Sequence, residues 1–155
     1  MISDIEKTSF CGLFCADCIP SNNRLFELAQ ELNCLLKDTN FQQYADFKSN
    51  KVLEFKDYDI FVKVLNSFEK IHCYQYCRKG PCSEAGCAQS CKIRVCSIEK
   101  KIEGCWDCDE YTTCEHIEKM ERFHPDIKFN LSMIKEHGVH NWKNYRGKHY
   151  HWSSM

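Results

Sequence analysis

The chain has 155 residues, of which 13 are cysteine, and its 21 basic and 22 acidic side chains leave a formal net charge of −1. The length suits one domain, and the balanced charge disfavours a broad basic surface for nucleic acid.

The opening segment "MISDIEKTSF" has no basic flank followed by an apolar run, so we expect no signal peptide. No later apolar run is long enough to span a membrane. These features predict a cytoplasmic protein. Disulfides are rare in the reducing cytosol, and an odd number of cysteines with several close pairs favours metal ligation over a disulfide framework.

The first motif is "CGLFCADC", in which Cys11, Cys15 and Cys18 have the spacing that holds the iron–sulfur cluster of radical-SAM enzymes. The chain is too short for the barrel of such an enzyme and has no glycine-rich SAM-binding stretch. We therefore expect the three sulfurs to enter a structural metal site, whose fourth ligand is most simply Cys73, Cys77 or Cys82. An open fourth position would instead suit a catalytic zinc ion or a cluster with one accessible iron.

Residues of about 22–70 are predicted to form a helical insert of three helices. The first covers about 22–37, Thr39 and Gln42 predict a capping box for the short second one, and Asp57 is a candidate N-cap for the third. We expect the apolar faces of the two longer helices to be core, with Leu25, Leu28, Leu32 and Leu35 on the first and Ile60, Phe61, Val64, Leu65 and Phe68 on the third. Cys34, beside the first stripe, is expected to be a small buried hydrophobe and not a ligand.

The cysteine-rich half covers about 71–116, and its first part, "HCYQYCRKGPCSEAGCAQSC", is too polar to fold by burial alone. Metal would have to organise it. The cysteines of this part can complete both a second and a third four-cysteine site, but the spacing does not determine which of them belong to which site. They are Cys73, Cys77, Cys82, Cys87 and Cys91. His72 and His116 could replace a sulfur, although an ordinary surface role is expected for each.

The most informative spacing is that of Cys96, Cys105, Cys108 and Cys114. The C-x-x-C pair lets two sulfurs reach one tetrahedral ion, and the other two close the shell from flanking helices. One of these helices is predicted in "KIRVCSIEKKIEG", ending at Gly104. Cys114 is expected to open the other, over about 113–123, where the helix dipole and free backbone N–H groups stabilise a thiolate.

The C-terminal helices are placed at about 117–145. Pro125 fits the first position of a helix that Gly138 ends, and Ile127, Leu131 and Ile134 share one face of it. Val139 and Trp142 are expected to return to the core. The predicted fold is therefore mainly α, one small domain over 1–155 of short helices pinned by cysteine-ligated metal sites and irregular zinc-knuckle-like loops.

The run "CGLFCADC" and the later "CKIRVCSIEKKIEGCWDCDEYTTC" together resemble a prokaryotic cysteine-rich family filed as domain of unknown function thirty-seven ninety-five. The family pattern is an opening C-G-L-x-C-x-x-C, a middle cysteine group, then C-x-I-R-x-C, K-G, C-x-x-C and a final cysteine. Lys101 stands where glycine is usual, and Thr113 replaces a common proline. The resemblance, which extends to "IKEHGVHNW", implies a zinc-binding domain of unassigned role. It marks Ile93 and Arg94 within the motif, and as family-type cysteines Cys11, Cys15, Cys18, Cys77, Cys91, Cys96, Cys105, Cys108 and Cys114.

No complete catalytic constellation is present, since the chain lacks G-x-S-x-G, H-E-x-x-H, a P-loop and the zinc-deaminase pattern. We therefore expect a zinc-stabilised binding or scaffolding module with two or three ions, whose partner is a protein more readily than a nucleic acid. One alternative is an iron–sulfur protein that transfers electrons or senses redox state, because iron also accepts four thiolates. A second is an enzyme that uses an open zinc position or a reactive thiolate of Cys11, Cys15 or Cys18.

Overall fold

The computed structural model describes residues 3–79 and 91–151 and, within them, seven α-helices. In chain order these are α1 (Asp4–Lys7), α2 (Asn23–Asp38), α3 (Phe41–Lys48), α4 (Tyr58–Ile71), α5 (Lys92–Glu99), α6 (Glu115–Glu121) and α7 (Ile127–His137). These two ranges contain no β-strand beyond an isolated bridge between Thr8 and Phe14. The predicted mainly α class is therefore confirmed.

Two compact units divide the chain. The larger joins Met1–Ser21 to Cys73–Met155, and the smaller is Asn22–His72, the segment predicted as a helical insert. The larger unit thus unites the two ends of the sequence. It contains every cysteine predicted as a metal ligand, of which Cys82 and Cys87 lie outside the described residues.

The core of the larger unit is built on α7. Ile127 and Leu131 are fully buried and Ile134 is nearly so, which confirms the predicted apolar face. Gly138 ends the helix with φ of 76°, also as predicted, because the left-handed half of the backbone map is open to glycine. The predicted start at Pro125 is wrong by two residues, since α7 begins at Ile127.

Trp142 fills the centre of this core with no exposed surface, and Val139 is also buried, as predicted for both. The indole ring meets the Phe14 ring edge-on, with 6.0 Å between centroids. Its Nε1 donates a hydrogen bond to Thr8 Oγ1 at 3.0 Å, so the polar edge of the indole is satisfied inside the core. The tryptophan therefore fastens the C-terminal segment to the N-terminal one.

The glycine of the opening motif has a structural reason. Gly12 has φ of 79°, and a Cβ added there would lie 2.8 Å from Cδ2 of Leu131 on α7. Both the backbone conformation and the close approach exclude a larger side chain. Gly12 therefore lets the cysteine motif lie directly against the core helix.

Gly12→Ala is expected to lower the free energy of unfolding by about 2 kcal/mol, because a left-handed conformation costs about 1–2 kcal/mol for alanine and the new methyl group overlaps Leu131. Urea unfolding would measure the loss. In the double variant Gly12→Ala/Leu131→Ala the overlap is gone, so the combined loss should be smaller than the sum of the two single losses. Strict additivity would contradict the steric account.

The smaller unit has the three predicted helices, but one predicted cap is wrong. Thr39 and Gln42 do not form a capping box for α3. The hydroxyl of Thr39 donates to the carbonyl of Leu35 at 2.7 Å and so closes the end of α2, while Asn40, with φ of 52°, precedes α3. A threonine hydroxyl can hydrogen-bond to a carbonyl of the preceding helix or to an N–H of the following one. The position of the threonine in the sequence does not determine which bond forms.

The predicted burial of the apolar faces of α2 and α4 is largely wrong. On α2, Leu28 is 46% and Leu35 60% exposed, and on α4, Ile60 is 59% and Val64 55% exposed. Cys34 is exposed too, against the expectation of a buried thiol. The buried side chains of this unit are Phe26, Ala45, Tyr58 and Leu65. Periodicity identifies an apolar face, but a unit this small has too little surface to cover it.

Candidate metal centre

Two short turns of sequence C-x-D-C have the same backbone form. Cys15–Asp17 and Cys105–Asp107 are each one turn of 3-10 helix. In each, the second cysteine is extended and its N–H donates to the carbonyl of the first, at 3.0 Å from Cys18 to Cys15 and 3.1 Å from Cys108 to Cys105. The turns are therefore equivalent supports for a pair of sulfurs.

The second turn belongs to a cavity of about 250 Å³ that all four cysteines of the predicted C-terminal site line: Cys96, Cys105, Cys108 and Cys114. Three elements bring them together. Cys96 lies in α5, the middle pair lies in the turn, and Cys114 is the N-cap of α6, which confirms that this cysteine opens a helix. The hydrogen bond from the Cys105 N–H to the Phe10 carbonyl, at 2.8 Å, ties the turn to the N-terminal segment.

The thiol of Cys105 resists ionisation in this cavity. Burial raises the pKa of Cys105 to about 11, and the negative charges of Cys114, Cys108 and Cys96 reinforce the shift. Lys100 is the nearby cation, with Nζ 3.6 Å from the sulfur of Cys108 and 3.0 Å from a carboxylate oxygen of Glu110. Hydrogen bonding to Glu110 and the charge of Cys108 raise the pKa of Lys100, which therefore stays charged.

Residues 3–79 and 91–151 contain no group of three or more histidine, cysteine or acidic side chains arranged so that it could hold a metal ion. In the identity of its donors, though not in an arrangement that the structure shows, the cavity matches a structural zinc site, because four sulfurs line it and two of them come from one C-x-x-C turn. His116 also lines this cavity, whereas the ring of His72 stacks on Phe26 in the smaller unit with 4.4 Å between centroids.

A second cysteine group gathers around the first turn. Burial raises the pKa of Cys15 to about 12, and the charges of Cys77, Cys18 and Cys73 reinforce the shift, so these thiols are neighbours. The backbone N–H of Cys77 donates to the Cys15 sulfur, and the N–H of Cys73 donates to the carbonyl of Pro20 at 2.8 Å. The start of the cysteine-rich half thus lies beside the opening motif "CGLFCADC". This is the part of the chain that was expected to supply a fourth sulfur to that motif.

Cys11 lies between the two groups. It is buried, and its sulfur is 3.1 Å from the hydroxyl of Ser9. Burial raises the pKa of this thiol, and the cysteine charges that act most on it are those of Cys77, Cys105 and Cys91. Cys11 is thus close to cysteines of both groups, and the predicted sharing of one metal ion by Cys11, Cys15 and Cys18 stays a prediction.

Two arginines that the sequence analysis did not single out hold the cysteine turns in place. Arg78 donates to the carbonyls of Thr8 and Glu103 at 2.7 and 2.9 Å, and its guanidinium lies 5.4 Å from the ring centroid of Trp106. Arg146 pairs with both carboxylate oxygens of Asp17, in the first turn. No sequence signal marks these contacts, because each joins residues 25 or more positions apart.

The C-terminal segment reaches the first turn through Tyr150, which follows the buried His149. The Tyr150 hydroxyl lies 3.2 Å from the Cys18 sulfur. His149 is 5% exposed, and its Nδ1 has no hydrogen-bond partner in the part of the chain that the structure describes. Burial lowers the pKa of His149 to about 4, and the charges of His124 and Arg146 act in the same direction while Asp17 opposes them.

Lowering the pH should destabilise the fold through His149. The unfolded side chain takes up a proton below about pH 6.5 and the folded one only near its pKa of about 4, so stability is full above this window and falls as the pH drops through it. Each unit of pKa shift corresponds to about 1.4 kcal/mol, which predicts a loss of about 2 kcal/mol between about pH 7.5 and 5.

Urea unfolding of His149→Gln would test this account. That variant should be less stable at neutral pH but should show a flatter pH dependence than the wild type. The matched control is His140→Gln, because His140 is exposed and should leave the slope unchanged. Parallel slopes for the wild type and His149→Gln would rule out His149 as the source.

The family model described as Protein of unknown function (DUF3795) matches residues 7–119 and thus covers both cysteine groups. The chain belongs to this family, as the resemblance of its motifs predicted, although the late "IKEHGVHNW" lies beyond the matched residues. No curated protein and no solved structure matches the chain. None of the helices within the described ranges is both long enough and apolar enough to cross a membrane.

Proposed function

We propose that the protein is a zinc-stabilised binding or scaffolding module in which metal ions hold the larger unit together. The observation that carries the proposal is the cavity lined by Cys96, Cys105, Cys108 and Cys114. Four half-buried thiols that line one cavity are unfavourable for a protein that must also ionise them. A divalent cation removes this conflict, because its charge stabilises the thiolates and its binding energy is then part of the folding energy.

The second cysteine group supports the same function. This group repeats the arrangement of the first, in which one C-x-x-C turn is joined by two further cysteines. The turn supplies Cys15 and Cys18, and the segment after the helical insert supplies Cys73 and Cys77. Unlike the first group, which lies within residues 96–114, it brings together chain segments that are distant in sequence. Two zinc ions would account for these eight cysteines, and a third would require Cys11 and Cys91 to be joined by Cys82 and Cys87.

A binding role is favoured over catalysis by the state of the thiols. Burial holds the pKa of Cys15 and that of Cys105 well above neutrality, so neither is a ready nucleophile. A protein partner is proposed ahead of a nucleic acid because the net charge is −1 before metal is bound. The proposed location is the cytoplasm, where thiols remain reduced.

The deciding experiment is elemental analysis of protein purified without oxygen, together with its visible spectrum. Two or three zinc ions per chain and a colourless solution are expected. Iron with sulfide and a broad visible absorbance would contradict the zinc assignment. The same cysteines would then hold an iron–sulfur cluster, and the function would be electron transfer or redox sensing. A chain that contains neither metal and still unfolds cooperatively would overturn the proposal.

A further inference from the structure

Helix α2 carries two stripes of mainly apolar residues, of which one is used inside the smaller unit. The members of that stripe are buried or half-buried: Phe26, Ala29, Asn33 and Leu36. It meets α4, where the ring of Phe68 lies 6.0 Å from that of Phe26 between centroids. The second stripe begins one residue earlier at each position, about 100° around the helix, and consists of leucines: Leu25, Leu28, Leu32 and Leu35. The last three are 46%, 42% and 60% exposed, so the part of the chain that the structure describes leaves most of this stripe uncovered.

The uncovered stripe has the spacing of a coiled-coil seam. Its leucines are three, four and three residues apart, which corresponds to the a and d positions of two heptads. A seam of this kind packs against another α-helix, because each leucine enters a hole between four residues of the facing helix. The spacing therefore indicates that the occupant of this surface is a helix with an apolar seam of its own.

The charges at the two ends of the seam indicate in which direction that helix runs. Arg24 lies in the first turn of α2 and Asp38 is its last residue, and both occupy the g position that borders the seam. The helix dipole disfavours a cation at the N-terminus and an anion at the C-terminus. Arg24 forms ion pairs with Glu27 and Glu31 of the same helix, both on exposed side chains. Asp38 forms no salt bridge within the described ranges. An antiparallel helix would place a terminus of favourable charge beside each of the two end residues.

We propose that the leucine seam of α2 pairs with the same seam of a second copy of this chain, with the two helices antiparallel about a two-fold axis. Leu25 then packs against Leu35 of the second copy, and Leu28 packs against Leu32 of the second copy. Arg24 lies beside Asp38 of the second copy at each end, so the contact is self-complementary in shape and in charge. A parallel pair would instead bring the like-charged ends together.

The proposal does not depend on the metal ions, because α2 belongs to the unit Asn22–His72, which contains none of the predicted ligands. A helix of 16 residues is about 24 Å long and carries two heptads of seam. Phe61 of α4, which is 45% exposed, lines one cavity together with Leu32 and extends the apolar surface beside the seam. The interface is therefore at the small end of the range for specific association, and we expect a dimer that forms in proportion to the protein concentration.

Sedimentation equilibrium of the full chain, purified without oxygen, tests the proposal. Between about 5 µM and about 500 µM the average mass should rise from the 18.3 kDa of one chain towards twice that value. Leu28→Lys/Leu35→Lys places charges in the seam and should weaken association by at least about tenfold. The matched control is Phe47→Lys/Leu53→Lys, which adds the same two charges to exposed apolar positions of the same unit and should leave association unchanged. All four side chains are 46% or more exposed, so neither double variant should unfold, and circular dichroism would check this.

Exchanging the end charges tests the antiparallel direction. Arg24→Glu should weaken association by about fivefold, because the two-fold axis reverses two exposed ion pairs at once. Arg24→Glu/Asp38→Arg should restore it, since the pair is then re-formed with opposite signs. Both substitutions suit the helix dipole, so neither should weaken α2 itself. In a parallel pair the two residues do not meet, and the double variant would not differ from the single one.

Three outcomes would overturn the proposal. A chain that keeps the mass of one copy at the highest concentration does not use the seam for self-association, and a different protein would then be its partner. A dimer that the lysine variants of the seam and the control weaken equally has its interface elsewhere. A dimer that the seam variant weakens but the charge exchange does not restore is not the antiparallel pair.

Discussion

Cys108→Ser is expected to bind one zinc ion fewer per chain than the wild type and to unfold at a lower urea concentration. The substitution removes one of four sulfurs from the cavity between α5 and α6. A serine oxygen is a poor replacement for a thiolate, and the binding energy of a structural ion is folding energy. The expected loss in the free energy of unfolding is at least about 3 kcal/mol.

The natural control is Cys34→Ser. Cys34 is exposed on α2 in the unit that contains no other cysteine, so neither the metal content nor the stability should change. Metal analysis and urea unfolding of the two variants in parallel separate loss of a ligand from loss of a thiol in general. Full metal content in Cys108→Ser would show that this cysteine is not a ligand.

Trp142→Ala is expected to lower the free energy of unfolding by about 3–5 kcal/mol, the usual cost of removing a large buried aromatic side chain. Trp142 has no exposed surface, packs against Phe14 and donates a hydrogen bond to Thr8. The variant loses the packing and leaves the Thr8 hydroxyl without that partner. Chemical unfolding of the two proteins measures the difference.

Phe129→Ala, on α7, is the control variant, because it also removes a large aromatic side chain but one that is not buried. Phe129 is 47% exposed, so its removal should cost about 1 kcal/mol or less. A similar loss in the two variants would mean that Trp142 does not hold the core as its burial indicates. A Trp142→Ala chain that also loses metal would show that the core and the cysteine turns fold as one cooperative unit.

The sequence was sufficient to predict α7 and the cysteines of the C-terminal cavity. In α7 the apolar residues recur at helical spacing and a glycine ends the pattern, so local signals and tertiary burial agree. Cys105 and Cys108 lie in one turn, and Cys96 and Cys114 lie in or next to the flanking helices. Their convergence on one cavity therefore follows from short-range geometry.

Other features depend on long-range contacts that spacing does not encode. Gly12 turns the chain with a positive φ, so that Cys11 before it is buried while Cys15 and Cys18 belong to the short turn that follows. Arg78 and Arg146 act across long sequence separations. The exposed faces of α2 were mispredicted because amphipathicity is a property of one helix, whereas burial depends on how much surface its neighbours offer.

The hydrogen bond between Pro20 and Cys73 closes the base of the helical insert. The chain leaves the larger unit after Ser21 and re-enters it at Cys73. The residues that flank the insert are therefore joined by one backbone hydrogen bond, from the N–H of Cys73 to the carbonyl of Pro20. Insertions with adjoining ends can be lengthened, shortened or exchanged without displacing the framework that carries them. Changes in the length or sequence of this insert should therefore leave the cysteine turns on either side of it in place.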